Sequence, residues 1–261
     1  YLEETEAQIE AFYGPQATRE RLRALLREDR PDLLLATGQG LVYPADHPEQ
    51  QIGQGGLVCQ EWPGPNAWDG PLPPAFGFRA QDVDPGSDLC GMVAFLLNSF
   101  SLGTPSISPW HSLVGFPPHI AEAPWIASLP QRLLSIGAGR GALGVVGLVD
   151  HAWSPAPAFW PAFSNISGYS PGQILKYVMA ELLDGSPIGH SLRPLQQFYA
   201  LAFVQVANMI EDIRWGKLQD PLELVTMWAA RNDFGNLALL GDPAARLILE
   251  RTGKGSEYMA Y

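Results

Sequence analysis

Three short, unbroken apolar runs constrain the fold more than any other feature of this chain. They are Asp32–Thr37 (DLLLAT), Met92–Asn98 (MVAFLLN) and Ala142–Val149 (ALGVVGLV). A strand with one wet face alternates apolar and polar residues, whereas a strand apolar on both sides needs cover on both faces. Three such runs with helical segments around them predict a largely parallel sheet with helices on both faces. Gln16–Glu28 reads as a helix, with Leu22, Leu25 and Leu26 on one side and Arg19, Arg21, Arg23 and Arg27 mostly elsewhere. Trp125–Ile136 reads as a second helix, with Pro130 in its first turn. The last third is helical over Ser170–Leu183, Ser191–Trp215 and Asp220–Ala230. Ser170 is the N-cap of the first of these with Pro171 at its first helical position, and Pro221 opens the last. Glu3–Phe12 is weakly helical, Gly55–Trp62 (GGLVCQEW) suits a strand in a hairpin excursion, and Asn236–Leu240 (NLALL) is a terminal strand. Pro and Gly cluster at Trp62–Pro74, Thr104–Pro118 and Ser154–Pro161, which predicts long irregular loops between regular elements.

Composition narrows the function classes. Of 261 residues, 46% are apolar and 16% charged, which excludes intrinsic disorder. A net charge of −11 with 16 Lys and Arg argues against a basic nucleic-acid face and against anionic membrane surfaces. The longest apolar run, Leu89–Phe100, contains Gly91, Asn98 and Ser99 and falls short of a membrane span. Two cysteines, Cys59 and Cys90, make no disulfide framework; set in apolar segments, they read as small buried thiols of a reduced, cytoplasmic protein. Residues 1–14 read as a linker or the end of a preceding segment, 15–250 as one α/β domain and 251–261 as a tail. A start at Tyr1 is expected of a piece of a longer protein.

No metal or cofactor is expected. His47, His111 and His119 lie in loops without HExxH or Cys-x-x-Cys context. Asp82, Asp84 and Asp88 lack calcium-loop spacing and read as a solvated loop. Gly137–Gly144 (GAGRGALG) precedes its strand instead of following it and lacks the Lys-Ser/Thr ending of a phosphate loop.

Ligands of open α/β sheets bind at the carboxyl ends of the strands. The three exits here are Gly38–Leu41, Asn98–Gly103 and Asp150–Trp153. They carry Gln39, Ser99 and the Asp150-His151 pair. A hydrolase would use Ser99 as nucleophile and His151 as base, because an amide such as Gln39 takes no proton near neutrality. The plainer reading makes Ser99 a small strand-end residue and His151 a surface imidazole. Asp150 is open to two readings: a charge partner for a basic peptide side chain, or a solvated carboxylate.

Five pieces in order resemble the caspase-like (clan CD) cysteine peptidases, in the gingipain-type and CHAT-type bacterial branch, from about Asp32 to Leu247. They are DLLLAT-Gly38-Gln39-Gly40, GGLVCQEWPGP, MVAFLLN-Ser99-Phe100 with Gly103-Thr104-Pro105, GALGVVGLVDHAW, and Leu240-Gly241-Asp242-Pro243-Ala244-Ala245-Arg246-Leu247. The resemblance implies a three-layer caspase-like sandwich. It puts Gln39 where the family has its general-base His and Ser99 where it has its nucleophilic Cys. Both catalytic positions therefore depart from the pattern, and a dyad without either member has lost its chemistry. The resemblance implies a pseudopeptidase: a protein- or peptide-binding or scaffolding module of a larger protein or assembly. Its cleft would be Gly38, Gln39, Gly40, Asn98, Ser99, Asp150, His151 and Trp153. Two other readings stand beside it. One is an active hydrolase using Ser99 with His151 or His111. The other is a structural subunit of a homo-oligomer or filament.

Overall fold

The computed structural model describes residues 8–108, 110, 119–137, 139–153 and 171–247. In chain order the strands are β1 (Leu33–Thr37), β2 (Leu57–Val58), β3 (Gly77–Phe78), β4 (Val93–Leu97), β5 (Gly103–Thr104), β6 (Trp125–Ile126), β7 (Gly144–Leu148) and β8 (Leu237–Gly241). The helices are α1 (Arg19–Ala24), α2 (Gln50–Gly53), α3 (Ser128–Leu134), α4 (Pro171–Leu183), α5 (Ile188–Ser191), α6 (Arg193–Arg214) and α7 (Pro221–Gly235).

The three apolar runs lie side by side. β1, β4 and β7 are parallel neighbours, and β8 closes the far side of β7 antiparallel, in the order β1-β4-β7-β8. The chain is thus mixed α/β, with a mostly parallel central sheet flanked by helices. Side-chain alternation along β4 divides the core. Val93 and Phe95 face a cluster with Val146 and the apolar stripes of α4 to α7, including Val178, Leu182, Phe198, Ala202 and Met227. Ala94 and Leu96 face the other cluster, with Leu34, Val145, Leu26, Leu57, Phe78, Leu129 and Leu133. Both faces of β4 are buried, and this is why its sequence has no polar alternation.

Several expected boundaries move, each for a local reason. A helix from Trp125 would carry Pro130 in its interior, where the ring clashes with the preceding turn. Trp125–Ile126 instead pairs antiparallel with Gly103–Thr104, and α3 begins at Ser128, so Pro130 does fall in its first turn. Pro194 has the same effect on the expected Ser191–Trp215 helix: Ile188–Ser191 forms one turn, and the long helix starts afresh at Arg193. The first helix is capped by the Thr18 hydroxyl, which accepts from Arg21 N at 3.1 Å, and it runs on as a wider turn through Leu25–Asp29. α7 starts at Pro221 with Asp220 as its cap and continues past Ala230 to Gly235. β1 is less covered than its apolar run implies, since Leu35 is 43% exposed. Residues 8–12 form no helix; the start of the expected Glu3–Phe12 segment, the Ser170 cap, the Ser154–Pro161 loop and residues 251–261 lie outside the described residues.

Asp82, Asp84 and Asp88 do not form a free solvated loop. They take the arginines of the first helix in sequence: Arg23 to Asp82 at 2.9 Å, Arg27 to Asp84 at 2.9 Å and Arg30 to Asp88 at 3.2 Å. Asp82 is 7% exposed and also accepts from Arg79 N at 2.9 Å. Asp82→Ala should therefore cost about 2 kcal/mol, because it strands a buried donor and breaks a half-buried pair. Asp84→Ala and Asp88→Ala should each cost about 0.5 kcal/mol or less. Urea unfolding midpoints of the three variants check the ranking. Cys59 is buried, and burial pushes its thiol up to about 11, so it is an inert packing group. Cys90, expected to be buried, is exposed.

Candidate functional site at the strand exits

The exits of β1, β4 and β7 converge, and the contacts that hold them are mostly backbone. β1 and β4 pair in parallel from Leu33↔Val93 to Thr37↔Leu97, an offset of 60 residues. The pairing ends there: Gln39 turns onto the β2 hairpin, and Ser99 lies in the turn that follows β4. Gly40 meets Ser99 directly: a Cβ on Gly40 would sit 2.2 Å from the Ser99 carbonyl oxygen. Only glycine allows that approach. The 39–41 exit is locked onto the β2 hairpin. Val58 N donates to Gln39 O at 2.9 Å, Leu41 N to Gly56 O at 2.8 Å and Gly55 N to Leu41 O at 2.9 Å. Gln39 and Gly38 are exposed, and Gly40 is buried.

After β4 the chain turns sharply. Asn98 is fully buried and donates to Gly55 O at 3.0 Å. Phe100 adopts a left-handed φ of 59° with its ring fully buried. A non-glycine residue in that region is strained and is held by its surroundings. Here Phe100 N donates to Asp150 O at 3.0 Å, which ties the β4 exit to the β7 exit. Ser101 adds a second tie: its hydroxyl donates to Leu96 O at 2.5 Å and accepts from Leu148 N at 2.9 Å. Ser99, half-buried, accepts from Ala152 N at 3.0 Å through its hydroxyl oxygen.

Asp150 is neither a solvated carboxylate nor a free partner for a ligand's basic group. It is 1% exposed, and its two oxygens accept from the Ser108 hydroxyl and from His151 N, both at 2.7 Å. Burial pushes its carboxyl above the usual range, and those two donors pull it part of the way back. His151 is half-buried rather than a surface imidazole. Its ring packs edge-on to Phe100 at 4.6 Å and lies 5.6 Å from Trp153. Burial holds it below the ordinary imidazole value, so it is neutral at pH 7. Trp153 is half-buried; its backbone N–H donates to the Asp233 carboxylate on α7 at 2.7 Å, and its ring lies 5.5 Å from Trp110.

The sign of the pH effect follows. The unfolded chain protonates His151 near pH 6.5 and the folded chain resists, so this residue removes stability as pH falls below about 6.5. Asp150 acts the other way: the folded chain takes its proton first, which adds stability as pH falls towards the unfolded carboxyl value. The protein should therefore lose at most about 1 kcal/mol through His151 between pH 7 and 5.5. Denaturant titrations of the protein and of His151→Leu at both pH values measure it, and the variant should lose less.

All eight sequence-predicted site residues fall at these exits: Gly38, Gln39 and Gly40 after β1, Asn98 and Ser99 after β4, and Asp150, His151 and Trp153 after β7. His111 lies outside the described residues. Sequence reasoning missed Ser108 and Asp233, which hold the β7 exit from 42 and 80 positions away. It also missed two buried glutamines beside the site. Gln54 accepts from Tyr43 N at 3.1 Å and donates to Thr104 at 2.8 Å, and Gln50 donates to Tyr43 O and Ile120 O. No local pattern announces any of the four.

No group of three or more metal-ligating side chains occurs among the described residues. No helix among them is long and apolar enough to cross a membrane. Compared with protein-family models, with curated proteins and with solved structures, the chain has no significant match.

Proposed function

We propose that this domain is a caspase-like pseudopeptidase of the gingipain/CHAT type, a three-layer sandwich that uses its strand-exit cleft to hold a protein or peptide segment without cutting it. The observation that supports this most is that Gln39 and Ser99 each lie two residues past the paired ends of adjacent parallel strands, where Gly40 packs against the Ser99 carbonyl. A cysteine-peptidase dyad needs base and nucleophile side by side at such exits. Gln39 can donate and accept hydrogen bonds but moves no proton, and an unassisted serine hydroxyl is barely ionised. The Ser99 hydroxyl is also engaged by Ala152 N. Recognition survives such a change where catalysis does not. On this reading the module works in the cytoplasm, within a larger protein or assembly.

The test is binding and cleavage of a peptide library by the unmodified chain. Peptides should bind, none should be cut, and Gln39→Trp, which fills the cleft from an exposed position, should abolish binding. Cleavage that vanishes in Ser99→Ala would establish an active hydrolase instead. Absence of both binding and cleavage would leave the structural-subunit reading.

A further inference from the structure

The long helix α6 carries large apolar side chains on its outer side, among Gln196, Gln197 and Asn208, as well as on its inner one. Leu195, Phe198, Ala202, Val206 and Met209 face the core. Tyr199, Leu201, Phe203 and Val204 stand on the surface, with Phe203 50% and Val204 54% exposed. No charged residue occurs from Pro194 to Ile210. Large apolar side chains grouped on an exposed helix face mark a contact with another molecule.

The neighbouring helix α7 supplies one cation to this face. The Arg231 guanidinium lies 5.4 Å from the Phe203 ring centre and 5.6 Å from that of Trp228. Its Nε is buried without a hydrogen-bond partner, and among the described residues no carboxylate pairs with it. Cations at the far end of the hairpin are handled differently: Arg214 pairs with Glu211 at 3.3 Å and Lys217 with Asp212 at 2.7 Å. Tyr199 leans across to Gly235 on α7, where a Cβ would lie 2.8 Å from its ring. Tyr199, Phe203, Trp228 and Arg231 thus form one surface along the seam of two packed helices, with a single unpaired positive charge in it.

We infer that this seam docks an amphipathic helix of a partner protein whose apolar face carries one Asp or Glu, placed to pair with Arg231. Apolar side chains of the partner would cover Tyr199 and Phe203, and its carboxylate would meet the stacked guanidinium bidentately. The domain's net charge of −11 disfavours a polyanionic partner, so the match is to one acidic group in an apolar surface. This surface shares no residue with the strand-exit cleft, and the inference stands whether or not that cleft takes a peptide.

The experiment is selection of a phage-displayed random-peptide library on the intact chain, with counter-selection on Phe203→Glu. Tyr199→Glu replaces that variant if circular dichroism shows it misfolded. The selected peptides should carry Asp or Glu among apolar residues at helical spacing. Their affinity should fall about tenfold or more with Arg231→Gln. It should largely survive Arg231→Lys and be unchanged by Gln39→Trp. Peptides lacking a carboxylate, affinity unmoved by Arg231→Gln, or no Phe203-dependent peptide at all would overturn the inference. So would binding lost in Gln39→Trp, which belongs to the cleft. Dimerisation in sedimentation that disappears in Phe203→Glu would also overturn it, with a second copy as the occupant.

Discussion

Gly55→Ala should destabilise the protein by about 3 kcal/mol or more, a large share of a domain stability of roughly 5–15 kcal/mol. Two costs combine. Gly55 has a φ of 80°, where a side chain is strained. Its added Cβ would also lie 2.1 Å from the Phe100 carbonyl oxygen and 2.7 Å from that carbonyl carbon. Phe100 cannot move aside freely, because its own left-handed turn is held by Asp150 O and its ring is enclosed. Gly64→Ala separates the two costs. Gly64 has a φ of 92° but nothing within 4 Å of its Cβ position, so only the backbone strain applies, about 1 kcal/mol. In thermal melts the first variant should lie about 10 °C below the parent and the second about 3 °C below. Equal losses would mean that the hairpin does not press on the β4 exit, and that the exits are not held as one unit.

The elements that could be read from the chain are those whose cause is local. DLLLAT, MVAFLLN and ALGVVGLV became β1, β4 and β7 with ends shifted by one or two residues; β4 and β7 are covered on both faces and so are apolar throughout, whereas β1 is apolar though partly exposed. Pro130, Pro171, Pro194 and Pro221 lie in the first turns of their helices, since the proline ring restricts where a helix can begin. The two-residue strands β3, β5 and β6 had no local signature. Each exists only because a distant segment offers its hydrogen bonds, as Gly103–Thr104 does for Trp125–Ile126. The site divides in the same way. Its positions were legible as strand exits. Its supports were not, because Ser108 beneath Asp150 and Asp233 beneath Trp153 are chosen by the fold and by no neighbour in sequence. The Asp82, Asp84 and Asp88 group was misread for the same reason: the arginines that occupy it are more than 50 residues away.

The cleft reading makes a prediction larger than any effect on stability. Installing both reactive groups, as Gln39→His with Ser99→Cys, should turn a silent domain into a peptidase. Gln39 and Ser99 each follow the paired ends of adjacent parallel strands by two residues, and Gly40 packs against the Ser99 carbonyl, so imidazole and thiol should come within reach of each other. A thiol is easily ionised and needs only that partner to become a nucleophile. Either single variant should stay silent, because a base and a nucleophile act as a unit. The double variant should exceed the unmodified chain by on the order of 10²-fold or more, the usual contribution of a positioned base. The decisive measurement is hydrolysis of a peptide library by the unmodified chain, both single variants and the double variant, all shown to melt cooperatively. Cleavage by the double variant alone is the predicted result. Silence from a folded double variant, or cleavage by the unmodified chain, would contradict the pseudopeptidase account.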